Sequence, residues 1–231
     1  MSEVLANEQV AEGVYRLAVA GHFAGTMGQF YMLRAWDRYP LLSRPLSIFN
    51  VTAEYVEFLY LVAGEGTEMF SKLRKGDSVS LEGPLGNGFS LPSGKTALVG
   101  GGIGIAPFYY ALGQVPDADV YLGFSREAYM VDEFRAGTSG QVVVNVGGII
   151  LDEVDFNAYD TIIACGPHKM LEAVQRKQAD SGTKAEVYVS LENRMACGIG
   201  ACLVCSVQCR EGRKKACADG PVFRAEEVVF A

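Results

Sequence analysis

Lys95-Thr-Ala-Leu-Val-Gly-Gly-Gly-Ile-Gly-Ile-Ala-Pro107 decides how the chain is read: an apolar run breaks into glycines, and Pro107 heads the next apolar segment. Lys95 to Gly100 has the length and composition of a buried strand, and Ala106 to Gly113 reads as a helix with proline tolerated in its first turn. The same alternation continues downstream. Strands are expected at Asp119 to Phe124, Gln141 to Val146, Thr161 to Ala164 and Ala185 to Ser190, with helices near Asp132 to Ala136 and from Met170 to Ala179. Strands alternating with helices make a parallel sheet covered on its faces, so residues 94–190 form an α/β domain.

In such a sheet a glycine-rich first turn lies where a dinucleotide pyrophosphate sits. Gly102 and Gly104 match the first two glycines of G-x-G-x-x-G, and Pro107 stands in place of the third. A tight strand–helix turn with no ligand is the other reading. Cys165-Gly166-Pro167 ends a further strand on the same edge. A thiol after an apolar run is usually packing, and its placement at the crevice leaves a role beside a nicotinamide open. Ser125, Arg126 and Glu127 end the second strand. A base there suits a 2′-phosphate and an acid suits a free ribose hydroxyl, so NAD and NADP are not distinguished.

Residues 1–93 have a different period. Val10 to Ala20, Gln29 to Ala35, Pro45 to Val51, Tyr55 to Ala63 and Ser78 to Glu82 are short β-branched or aromatic runs separated by Gly, Asn and Pro. They predict a small antiparallel β-barrel. Arg44-Pro45-Leu46-Ser47 opens one strand with a guanidinium able to clasp a phosphate. Gly64-Glu65-Gly66-Thr67 precedes a helical segment expected from Glu68 to Arg74, which favours anion binding. Gly83-Pro-Leu-Gly-Asn-Gly-Phe89 is a turn-rich loop closing the domain. Each has an ordinary alternative as an edge strand, a capped turn or a loop.

Residues 191–231 carry Cys197-Gly-Ile-Gly-Ala-Cys202-Leu-Val-Cys205, then Cys217 after eleven further residues. Four thiolates on a glycine-rich loop suit iron–sulfur or zinc. The spacing C-x4-C-x2-C…C is the plant-type 2Fe–2S pattern, whereas structural zinc usually takes paired short knuckles. Cys209 competes as fourth ligand, but the tight turn Asp219-Gly220-Pro221 favours Cys217. A hairpin is expected from Leu203 to Lys215, its tip made basic by Arg210, Arg213, Lys214 and Lys215.

The chain has 231 residues, of which 27 are glycine, and a net charge of −7. That charge argues against nucleic acid as a partner. No apolar run reaches the roughly 18 residues of a membrane span, and the N-terminus lacks the basic and apolar parts of a signal peptide. Six cysteines, four in one array, point to metal ligation in a reducing cytoplasm rather than to disulfides.

Taken in order, Arg44-Pro-Leu-Ser47, Gly64-Glu-Gly-Thr67, Gly83 to Phe89, Gly100 to Pro107, Cys165-Gly-Pro167 and Met195-Ala-Cys-Gly-Ile-Gly-Ala-Cys202 resemble one family. It is the electron-transfer subunit of the two-subunit, NAD-linked dihydroorotate dehydrogenase, within the ferredoxin–NADP reductase superfamily. The resemblance covers about residues 10 to 228. It implies a flavin-binding barrel with FAD (1–93), an NAD-binding domain (94–190) and a C-terminal 2Fe–2S domain (191–231). It places Arg44 on a flavin phosphate, with Pro45, Leu46 and Ser47 along the flavin. Leu59, Tyr60 and Leu61 would line the flavin through their backbone, and Gly66 and Thr67 would hold its pyrophosphate. Ser47 and Cys165 would lie near hydride transfer, and Cys197, Cys202, Cys205 and Cys217 would hold the cluster. The implied partner is an FMN-containing catalytic subunit, two of each chain forming a heterotetramer in pyrimidine biosynthesis. Electrons from dihydroorotate would reach NAD(H) through the cluster and FAD. Two features depart from the family: the 138–158 region is short, and Cys209 is an extra thiol. A related NAD(P)H-dependent flavin and iron–sulfur reductase subunit serving a ferredoxin, or a zinc-stabilised binding module, are the alternatives.

Overall fold

The structure is a computed structural model, and it describes residues 1–230. Six strands close a barrel: β1 (Ser2–Ala11), β2 (Val14–Ala20), β3 (Phe30–Arg34), β4 (Arg44–Val51), β5 (Tyr55–Leu61) and β6 (Ser78–Leu85), in the order β1-β2-β5-β4-β3-β6. The helix α1 (Glu65–Ser71) lies between β5 and β6. Leu17, Val19, Leu33, Val56, Phe58 and Tyr60 fill the interior with Phe70 of α1.

The stretch Val10 to Ala20, expected as one strand, is two. Gly13 takes φ 71° and reverses the chain after β1, which begins as early as Ser2. The polar composition of β1 hides it, because much of this strand is open to water. Along β5 the two faces meet different cores. Val56, Phe58 and Tyr60 point inward, but Leu59 joins a second core outside the barrel. Glu57, also outward, is buried and bonded to Arg16 (2.8 Å) and Asn50 (3.0 Å).

That second core joins the barrel to the α/β half. There β7 (Thr96–Gly101), β8 (Asp119–Phe124), β9 (Val142–Val146), β10 (Thr161–Cys165) and β11 (Glu186–Ser190) are parallel. A short antiparallel strand, β14 (Val222–Arg224), pairs with β11. The sheet order is β14-β11-β10-β7-β8-β9, so the strand direction of winding switches between β7 and β10. Helices α2 (Ala106–Leu112), α3 (Val131–Gly137) and α4 (His168–Ser181) pack on its faces. In the short 138–158 region, two 3-10 turns, Ile150–Glu153 and Phe156–Ala158, carry the chain from β9 to β10. The last segment forms the expected hairpin, β12 (Ser206–Cys209) with β13 (Gly212–Lys215).

A polar network is buried at the amino edge of the sheet. The Tyr159 hydroxyl donates to Asp119 Oδ2 (2.8 Å) and lies 2.7 Å from the Tyr121 hydroxyl. Gln141 donates its N–H to Asp119 Oδ1 at 2.9 Å, and Lys95 lies 3.6 Å from Oδ2. Burial opposes the charge on Asp119, but the Gln141 N–H, the Tyr159 hydroxyl, Lys95 and the Gln141 amide outweigh it. The carboxyl is held below its ordinary value of 3.8. Its contribution to stability is therefore complete above pH 3.8 and is lost as the pH falls through the depressed folded value. Tyr159→Phe should cost about 1–3 kcal/mol by leaving buried partners unmatched, whereas Tyr188→Phe at an exposed hydroxyl should cost about 0.5 kcal/mol or less. Denaturant unfolding measures both, and equal small losses would show the network to be energetically idle.

Candidate functional site

Three regions expected to carry chemistry lie on connected parts of this scaffold. The first is the carboxyl edge of the sheet. At Gly104 a Cβ would come within 2.4 Å of the Cys165 carbonyl oxygen and 2.6 Å of Gly166 Cα. Glycine is needed there because the turn after β7 presses on the end of β10, which unites the Gly100–Pro107 and Cys165–Pro167 stretches. Gly102 takes φ 55°, and a Cβ there would meet nothing within 4 Å, so its backbone faces open space. Cys165 is buried, and its thiol donates to Glu192 Oε1 at 3.8 Å. Burial, reinforced by the Glu192 charge, pushes the thiol well above its usual range. The thiol is thereby held in the protonated form that donates to Glu192. Sequence reasoning missed Glu192, since nothing in its local pattern says that the chain leaving β11 passes the end of β10.

The second region is a cleft in the barrel wall. The β4–β5 ladder runs only from Val51 opposite Val56 to Ile48 opposite Phe58. Beyond it Arg44 to Ser47 keep pairing with β3, and Leu59 to Leu61 keep pairing with β2. The two backbones part, leaving β4 and β5 edges available along this slot. The Arg44 guanidinium closes one end. It packs over Trp36 at 5.4 Å, and a Cβ on Gly66 would meet its Nε at 2.5 Å. The Arg44–Ser47 and Gly64–Thr67 stretches, distant in sequence, therefore converge. The Thr67 hydroxyl accepts from Ala63 N–H (2.9 Å) and Gly64 N–H (3.2 Å), so it holds the turn in shape. This explains why α1 starts at Glu65, ahead of the expected Glu68. The Gly83–Phe89 loop ties the barrel to the C-terminal segment: Asn87 N–H donates to Gly220 O at 2.7 Å.

The third region is the cysteine loop. Gly198 and Gly200 take φ 72° and 80°, and a Cβ on Gly198 would meet Met32 and Leu85 at 2.9 Å, so this loop lies against the barrel wall. Cys205 and Cys217 have their sulfurs 3.2 Å apart, and the Cys202 side chain is the near neighbour of Cys197. Main-chain N–H groups point at the sulfurs: Gly200 to Cys217 at 3.1 Å and Ala201 to Cys197 at 3.3 Å. Backbone donors at Ile199 and Cys202, with the Cys202 thiol, lower Cys197 to about 6. Burial, with the Cys205 thiol adding to it, pushes Cys217 up to about 12. Among the described residues no three His, Cys, Asp or Glu side chains gather around one point. Two pairs of thiols fit a two-iron cluster, whereas one zinc ion needs its donors around a single centre. Cys209 lies at the far end of β12, roughly 13 Å along the chain from Cys205, and is buried against the C-terminal tail.

Barrel, switch-point sheet and paired thiols define a ferredoxin reductase-like oxidoreductase with an iron–sulfur segment at its C-terminus. Among solved structures, a chain of NADH-dependent reduced ferredoxin–NADP oxidoreductase, described for flavin-based electron bifurcation, matches with TM-score 0.88 at 26% identity. It covers 100% of this chain and 90% of that one. A Neisseria gonorrhoeae ferredoxin–NADP+ reductase with bound FAD and NADP shares the fold at TM-score 0.64 and 16% identity, over 78% of this chain and 90% of its own. A family model described as the iron–sulfur cluster binding domain of dihydroorotate dehydrogenase B matches residues 192–229. The electron transfer subunit of dihydroorotate dehydrogenase B (NAD(+)) from Clostridium acetobutylicum is 41% identical over 241 residues, spanning 100% of this chain and 97% of the relative. The chain belongs to this family of electron transfer subunits.

The pairing of the thiols makes a direct prediction. Cys217→Ser should abolish the visible absorption of an iron–sulfur cluster and lower the iron content, while Cys209→Ser should leave both in place. Zinc without iron after anaerobic purification would refute the two-iron reading, and the opposite mutant pattern would move the fourth ligand to Cys209.

Proposed function

We propose that this chain conveys electrons from an FMN-containing dihydroorotate dehydrogenase catalytic subunit to NAD+, in the cytoplasmic synthesis of pyrimidines, within a heterotetramer of two chains of each kind. The observation that carries the reading is the continuity of the three regions: the cysteine loop packs on the barrel through Gly198, and the barrel packs on the sheet through the second core. A flavin exchanges two electrons with nicotinamide and single electrons with a 2Fe–2S cluster, which is the chemistry FAD supplies between the other two groups. The rest falls to the protein's own residues.

Arg44, held by Trp36 and by the turn at Gly66, would pair with a flavin phosphate, while the main chain of Gly66 and Thr67 would approach the pyrophosphate. Pro45, Leu46 and Ser47 on one side of the slot, and Leu59, Tyr60 and Leu61 on the other, would offer backbone groups to the flavin ring. Gly102 and Gly104 would seat the dinucleotide, with Cys165 and Ser47 beside the reacting ring. Cys197 and Cys202 would bind one iron, and Cys205 and Cys217 the other. Boundaries near residues 93 and 190 would separate the three units.

The docking face would centre on the cluster loop. Ile199, Leu203 and Val204 are exposed there, at 69%, 63% and 55%. Exposed apolar groups of this size on a single loop suit burial against another protein. The basic hairpin has a smaller part than its charge count suggests. Lys214 is already paired with Glu227 at 2.8 Å, leaving Arg210 and Arg213 as its exposed basic groups, with the exposed acid Glu211 between them. A second reading, a subunit of a ferredoxin-linked reductase, is supported by the TM-score of 0.88. The 41% identity to a dihydroorotate dehydrogenase subunit favours the first.

Two measurements test the reading. Arg44→Ala should weaken FAD binding by about one to two powers of ten, the loss of one charge-assisted phosphate contact; unchanged affinity would move the phosphate elsewhere. The double substitution Leu203→Ser and Val204→Ser should slow dihydroorotate-dependent NAD+ reduction by the mixed subunits while leaving NADH oxidation by artificial acceptors intact. No coupling of the wild-type chain to a dihydroorotate-oxidising subunit would favour the ferredoxin-linked reading instead.

A further inference from the structure

We propose that the connection from β3 to β4 is the second half of the face that docks the catalytic subunit, alongside the cluster loop. It rests on the reading of the cluster loop as the docking centre. Tyr39, Leu41 and Leu42 stand out from this connection with 71%, 69% and 47% of their surface exposed. A run of large apolar groups held in water marks a surface that another protein covers.

The connection is wound around a single side chain. Arg34 ends β3, and its guanidinium donates to four main-chain carbonyls of the residues that follow. Nε reaches Trp36 O at 2.8 Å, Nη1 reaches Leu41 O at 3.1 Å, and Nη2 reaches Asp37 O at 2.7 Å and Arg38 O at 3.2 Å. The Trp36 indole N–H donates to Pro40 O, and its ring packs on Phe70 of α1 with centroids 5.4 Å apart. The backbone that carries Tyr39 and Leu41 is therefore fixed before any partner arrives, which lowers the entropy lost on binding.

Its position identifies the occupant. Along β3, Tyr31 and Leu33 fill the barrel, while Phe30 and Met32 face the core that holds Cys205 and Cys217. Met32 lies against the cluster loop, where a Cβ on Gly198 would come within 2.9 Å of its Cγ. Arg34 is the next residue on that face, about 7 Å farther along the strand. The connection thus continues the apolar surface begun by Ile199, Leu203 and Val204. Exposed charges in between are few and of both signs: Asp37 and Arg38 on the connection, and Glu82 opposite Met32 on β6. Such a face suits a largely uncharged partner surface. A second copy seated here would cover the cluster loop and shut in its electrons, so the fitting occupant is the protein that exchanges them.

Association of the purified holoprotein with the dihydroorotate dehydrogenase catalytic subunit, followed by sedimentation, tests this without electron transfer. The double substitution Tyr39→Ser, Leu41→Ser should raise the Kd by roughly ten- to hundredfold. The loss should depend little on salt, and FAD and iron contents should stay at their wild-type values. Leu42 is left in place because its carbonyl accepts from Arg44. Arg34→Gln, which frees the connection but keeps its apolar side chains, should also weaken association. An unchanged Kd in the double variant, with a weakened one in Leu203→Ser, Val204→Ser, would overturn the role of the connection and leave the cluster loop as the whole docking face. Loss of FAD from the double variant with association intact would assign these side chains to the flavin and overturn it equally. Self-association of the wild type that the double variant abolishes would make a second copy the occupant, against the proposal. No association of the wild type with the catalytic subunit would remove the docking reading itself, and this proposal with it.

Discussion

The geometry of the whole molecule depends on the burial of α2 between the sheet and the barrel. Phe49 of β4 stacks on Tyr109 with ring centroids 4.7 Å apart and planes 12° from parallel. One residue on, the Tyr110 hydroxyl reaches back to the Gly25 carbonyl at 3.1 Å. Around them Met27, Leu59 and Phe89 from the barrel join Phe108, Ala111 and Leu112 from the helix in one apolar core. An aromatic stack of this kind adds direction to the non-directional attraction of buried apolar surface. Because β4 and β5 contribute to that core with their outward faces, the slot between their far ends is held in a fixed relation to the glycine-rich edge of the sheet. The barrel and the sheet cannot be moved apart without opening a core that both share.

Much of this was legible in the residues, and the illegible parts have physical causes. The change from short β runs to alternating strands and helices at Lys95 marked the sheet, and the cysteine spacing marked the C-terminal loop. Period found β5 and its inward set, Val56, Phe58 and Tyr60, but it could not show that the other face is buried too, against a second core. It failed on β1, because a strand largely open to water carries too many polar residues to stand out. The convergence of Arg44 with Gly66, and of Gly104 with Cys165, is a property of strand pairing that no local pattern states. The cysteine array offered the candidate ligands, but only coordinates set Cys205 beside Cys217.

Glu192 and Glu12 show the same lesson at the level of single residues. Each stands on a connection, one leaving β11 and the other turning between β1 and β2, and each meets a residue of a different strand. Connecting segments acquire their chemistry from what they are carried past. Arg126 and Glu127 leave β8 with opposite charges, and both meet the turn of another unit, 114 positions away from Arg126.

The return of β14 to the sheet has a consequence for how the metal centre is assembled. Residues after β11 leave the sheet, run through the cysteine loop and the hairpin, and come back, with the Leu191 N–H bonded to Pro221 O at 2.9 Å where the excursion begins and ends. The thiols thus sit on a loop whose two ends are clamped by strand pairing rather than on a free tail. Small metal-binding segments usually spend binding energy on folding around the metal, because their ligands are scattered until it arrives. Here the entropy of closing the loop is already met by the sheet. Iron and sulfide would therefore enter a site whose backbone is in place, and the stability of the nucleotide sheet and the retention of the cluster become one property.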